Sequence, residues 1–63
     1  MIHLICKYKK LIDYKEETSV YVYEFLVSGK ERTIELDKDK VEKLGELHAL
    51  RLAYGYAAKY IDE

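Results

Sequence analysis

Apolar and polar residues alternate in the stretch IHLICKY, where Ile2, Leu4, Cys6 and Tyr8 interleave with His3, Lys7 and Lys9 and only Ile5 breaks the pattern. A period of two is that of a half-buried strand. In SVYVYEFLV, residues 19–27, β-branched and aromatic side chains fill both faces, as a central strand requires. RTIEL, residues 32–36, alternates again, with Ile34 and Leu36 on one side and Thr33 and Glu35 on the other. The run DKDK follows, and either Asp37 or Asp39 is suited to cap a helix over about 38–61. At 100° per residue, Leu44, Leu47, Leu50, Tyr54, Ala58 and Ile61 form one broad stripe, the expected sheet-facing side, with the stem of Lys43 beside it.

Side-chain pairing predicts the register. A two-residue loop at Ser28-Gly29 sets Tyr23 opposite Ile34, Tyr21 opposite Leu36 and Glu24 opposite Thr33. Moving the loop to Gly29-Lys30 would set Glu24 against Glu35, a like-charge pair, so the first register is preferred. For the earlier hairpin, a turn at Glu16-Glu17 pairs Ile12 with Tyr21, Tyr8 with Phe25, Cys6 with Val27 and Lys9 with Glu24. Together these registers give a core face of Ile2, Leu4, Cys6, Tyr8, Ile12, Tyr21, Tyr23, Phe25, Val27, Ile34 and Leu36. The segment KKLIDYKEET is long for an unbroken strand, and a bulge near Lys9–Leu11 is expected there. The fold class is α+β: strands at about 2–12, 19–27 and 32–36 form an antiparallel meander. One long C-terminal helix packs on one face of it, and residues 1–63 make a single small domain.

A second pattern runs through GELHALRLAYGYAA. Gly45, Ala49, Ala53 and Ala57 recur every fourth residue, flanked by Leu52 and Tyr56. Small residues at that spacing let another backbone approach closely. The row either lies under the chain's own sheet or meets a partner. Leu52, Tyr56 and the two glycines favour the partner, so Gly45, Ala49, Leu52, Ala53, Tyr56 and Ala57 are the expected surface of a two-fold homodimer.

Composition sharpens this picture. At 63 residues with one cysteine and no zinc-type Cys/His spacing, the chain lacks the staples small domains use, which leaves association or unusually good packing. It contains no Asn, Gln, Pro or Trp and is rich in Lys and Glu, a thermophile-like composition. Residues 1–30 carry five Lys against four acids and residues 31–63 six cations against eight acids, so no charged pole recommends nucleic acid or a membrane surface. No segment has the form of a signal peptide or a membrane span, and the lone Cys agrees with a cytoplasmic location.

Catalytic chemistry is not expected. His3 and His48 fall on different elements, alternation puts Cys6 in the core, and Ser19 and Ser28 have no histidine partner in any motif. Glu16-Glu17 and Asp37/Asp39 suit a turn and a cap, and Ser28-Gly29-Lys30 lacks the context of a phosphate loop. No cofactor or metal is implied. The expected function is that of an accessory or regulatory protein that binds a protein partner of unknown identity and self-associates; a viral or plasmid origin would suit so small a chain. The alternative is a nucleic-acid-binding dimer presenting Lys7, Lys9, Lys10 and Arg32 among tyrosines on a sheet. Slightly negative charge, and alternation that turns Tyr8, Tyr21 and Tyr23 inward, count against it.

Overall fold

A computed structural model describes residues 1–62. Strands β1 (Ile2–Asp13), β2 (Thr18–Val27) and β3 (Lys30–Asp37) form one antiparallel sheet in the order β1-β2-β3. Helices α1 (Lys38–Leu44) and α2 (Glu46–Ala58) follow, and a 3₁₀ turn over Lys59–Asp62 ends the described chain. The single long helix expected from the sequence is therefore two. Gly45 separates them at φ +89°, a conformation that L side chains rarely adopt. Its N–H donates to the Val41 carbonyl at 2.8 Å and its own carbonyl accepts from Ala49 N–H at 2.9 Å, so the break leaves both groups bonded.

The β2–β3 hairpin has the expected register, with Tyr23 opposite Ile34, Tyr21 opposite Leu36 and Glu24 opposite Thr33. Ser28 and Gly29 have φ values of 50° and 83°, the paired positive φ of a type I′ turn, whose twist matches that of the strands.

The β1–β2 hairpin departs from expectation. Its turn occupies Tyr14–Glu17, and the Asp13 carboxylate accepts from the N–H groups of Lys15 (2.9 Å) and Glu16 (3.2 Å). This side-chain turn wins over a tight Glu16-Glu17 loop because the aspartate mimics the backbone. The ladder then slips between Leu11 and Asp13 and again between Leu4 and Cys6. Each extra residue reverses which side chains face the core. Ile2 and Leu4 stay inside, but Lys7 and Lys9 stand opposite Tyr23 and Tyr21, while Cys6 and Tyr8 stand opposite Glu24 and Val22 on the outer face. Cys6, Tyr8 and Ile12, expected in the core, are exposed. Ile5, the one residue that broke the alternation, marks the bulge.

The core joins Tyr23, Phe25, Val27, Ile34 and Leu36 of the sheet to Val41, Ala49, Ala53 and Ala57 of the helices. The sheet-facing side of α2 is thus the alanine row, fully buried, and not the leucine stripe: Leu47 is 62% exposed. Volume explains the choice. The sheet supplies the large rings, so the helix approaches through small residues, and Leu50 and Tyr54 on one flank and Leu52 and Tyr56 on the other pack around the contact. Phe25 and Tyr54 meet edge to face at 4.9 Å. On the outer face Val20 and Val22 are also buried, each between longer cross-strand neighbours, Lys10 and Asp37 for the first and Tyr8 and Glu35 for the second.

Candidate interaction surface

Helix α2 lies over β2 and β3 and leaves the inner side of β1 uncovered beyond Leu4. There Leu4, Lys7, Glu46, Leu47 and Leu50 line an open cleft of about 340 Å³. The bulge creates it: with the alternation reversed, β1 presents Lys7 and Lys9 where a continuous strand would have presented Cys6 and Tyr8. Lys7 closes the inner end of the cleft. Its Nζ is 3.7 Å from Glu46 Oε1 and lies 5.2 Å and 5.7 Å from the ring centres of Tyr21 and Tyr23. The Glu46 side chain is 88% exposed, and Lys9 forms no ion pair among the described residues. Tyr23 is fully buried and its hydroxyl has no hydrogen-bond partner among the described residues. Burial above all, then the charge of Glu46 and the neighbouring Tyr21, pushes its pKa above the ordinary tyrosine value.

The expected dimer surface does not lie open to a partner. Ala49, Ala53 and Ala57 are fully buried against the sheet, while Leu52 and Tyr56 are half-buried and pack on the same core. Gly45 is exposed at the helix break, and neither it nor Gly55 has anything within 4 Å of where a Cβ would stand, so close approach does not account for either glycine. What α2 turns outward is Glu46, Leu47, His48, Arg51, Gly55 and Ala58.

The four cations of the nucleic-acid alternative do not converge. Lys7 is held by Glu46 and two tyrosines, and Arg32 lies under the Tyr60 ring at 4.6 Å at the far edge of the sheet. Lys9 and Lys10 are exposed but stand opposite Tyr21 and Val20, on opposite faces. The outer face, where Lys10 points, also carries Glu24, Glu35 and Asp37.

Cys6 is on that outer face, exposed, with Sγ 3.5 Å from Glu24 Oε2. Partial desolvation, then the hydrogen bond and charge of Glu24, raise the thiol pKa, which disfavours the nucleophilic thiolate. The same carboxylate, through a hydrogen bond, raises the pKa of Tyr8. A second groove, about 480 Å³, runs between β3 and the end of α2, lined by Thr33, Ile34, Glu35, Tyr56, Lys59 and Tyr60. Among the described residues no three metal-ligating side chains gather, and no helix is long and apolar enough to cross a membrane.

No family model, curated protein or solved structure matches the chain. Alternation and helical spacing had pointed to most of the cleft residues, but as core. The bulge brings Lys7, expected on the outer face, round to the inner face, and the packing of the alanine row on the sheet leaves Leu47 exposed.

Proposed function

We propose that the chain is a small non-catalytic interaction protein that works in self-associated form. The supporting observation is its surface. A monomeric globular protein of 7.5 kDa exposes about 4,250 Å² by the usual scaling, whereas this chain exposes 4,758 Å². The excess of about 500 Å² is more than half of what each partner contributes to an interface of ordinary size, about 800 Å². Besides Met1 and Ile61, the chain's exposed large apolar residues are Ile5, Tyr8, Leu11, Ile12 and Tyr14 along both faces and the turn of β1, and Leu44 and Leu47 on the helices. An exposed apolar patch marks a contact site, and Leu47 forms one with Leu4 and Leu50 in the cleft.

Absolute mass by light scattering on a sizing column, across a concentration series, tests the reading. A mass of two chains is expected. A single-chain mass throughout would refute it. Nucleic acid is the competing partner, and the acids beside Lys10 and the engaged Lys7 and Arg32 speak against it. Mixing the protein with a DNA or RNA pool at low salt is expected to give no shift; a shift that weakens steeply with added salt would replace this reading with the other.

A further inference from the structure

We propose that the cleft between β1 and α2 is the self-association site, occupied by the same cleft of a second copy related by a two-fold axis. This rests on the self-association proposed above and says where it occurs. Two properties make the surface complementary to itself. Its shape pairs an exposed leucine with half-buried ones: Leu47 is 62% exposed, while Leu4 and Leu50, lining the same cleft, are half-buried. A two-fold axis places each Leu47 in the other copy's cleft, which is how an isologous contact uses one patch twice.

Its charge is also two-signed. Lys9, with no ion pair among the described residues, is exposed on the same face of β1 as Lys7, two residues further along, and the exposed Glu46 side chain at the start of α2 lines the cleft. Within one chain Glu46 is engaged on one side by Lys7. Across the two-fold axis Lys9 of each copy meets Glu46 of the other, so both signs are matched twice. The leucines supply affinity and the charged rim sets orientation.

The test is light scattering on the wild type and on Leu47→Glu, Lys9→Glu and Glu46→Lys. Leu47→Glu is expected to weaken dimerisation about 30-fold or more, the effect of losing a central apolar anchor. Lys9→Glu and Glu46→Lys are each expected to weaken it about 3-fold to 10-fold alone. Mixed in equal amounts, these two variants restore the dimer, since every Lys–Glu contact in the mixed pair is again of opposite sign. Circular dichroism melts confirm that each variant is folded, and the mixing result stands even if Leu47→Glu does not fold. A wild type that is monomeric at every concentration overturns both the site and the self-association. A wild-type dimer that Leu47→Glu leaves intact, with no recovery on mixing, overturns the cleft alone.

Discussion

On one side of β2 the chain turns in two residues and holds its register to the end; on the other it turns in four and slips twice. The strand between them is common to both hairpins, so the difference lies in what each outer strand is packed against. Strand β3 lies under α2, and its inward residues Ile34 and Leu36 are buried. Strand β1 has only Ile2 and Leu4 beneath the helix and is exposed from Ile5 through Ile12. A covered strand cannot slip without moving its apolar set to the wrong face, whereas an uncovered one loses little by absorbing an extra residue. The unprotected strand is also the one that borders the cleft.

Truncating one apolar residue on each side of β2 tests this difference most directly. Phe25→Ala, at the buried centre, is expected to cost about 4 kcal/mol, a large part of the stability of so small a domain. Ile12→Ala, half exposed on the arm, is expected to stay within about 0.5 kcal/mol. Urea unfolding at low protein concentration measures both. Similar losses would mean that the arm is as well packed as the centre, and the contrast would be gone.

Next in size is the seam that gives β3 its cover. Ala53→Leu adds a branched side chain where the helix touches the sheet, and overpacking there is expected to cost about 3 kcal/mol. Ala58→Leu, five residues on and exposed, serves as the control and should be close to neutral. If Ala53→Leu were tolerated as well as Ala58→Leu, the alanine row would not be the packed face.

These expectations also show what the residues disclosed unaided. The β2–β3 register was legible because turn chemistry and charge pairing agreed on Ser28-Gly29. The β1–β2 register was not, because it depends on Asp13 bonding to the backbone two and three residues on, a choice that alternation does not encode. Ile5 carried a trace of it. The helix face differs from the one apolar spacing predicts for another reason. Apolar periodicity locates a stripe but does not say whether large residues come from the helix or from the sheet. Here Tyr23 and Phe25 had already filled the space, leaving room only for alanine. Leu47 was thereby displaced to the surface, and the candidate site with it.

Tyr23 separates the two sides chemically. Its ring is in the core, yet its hydroxyl lacks a partner among the described residues, beneath the Lys7 end of the cleft. Tyr23→Phe removes that buried group and is expected to stabilise the fold by about 1 kcal/mol. The raised pKa gives a second signature. Above the unfolded-state value of about 10 the unfolded chain releases this proton while the folded chain keeps it. Stability is therefore complete below about pH 10 and falls as pH rises toward the folded value. Denaturant midpoints measured on the alkaline side should decline less steeply in Tyr23→Phe than in the wild type. Equal slopes would mean that this hydroxyl is not shielded by the fold.

The smallest effects compare the two turns directly. Each holds one non-glycine residue at positive φ, Glu17 at 55° in the first and Ser28 at 50° in the second. Glycine at either position relieves the backbone strain of an L residue, partly offset by the greater freedom of the unfolded chain. Ser28→Gly is expected to raise global stability by about 0.5 kcal/mol, since the tight turn opens only when the covered sheet opens. Glu17→Gly relieves a similar strain, but the exposed arm opens without unfolding the core, so its gain stays local. Urea midpoints should move for Ser28→Gly and not for Glu17→Gly, while amide exchange slows across residues 8–20 for Glu17→Gly alone. Equal shifts in midpoint would show that the arm and the covered hairpin unfold as one unit, and the uneven protection of the two sides of β2 would then have no energetic counterpart.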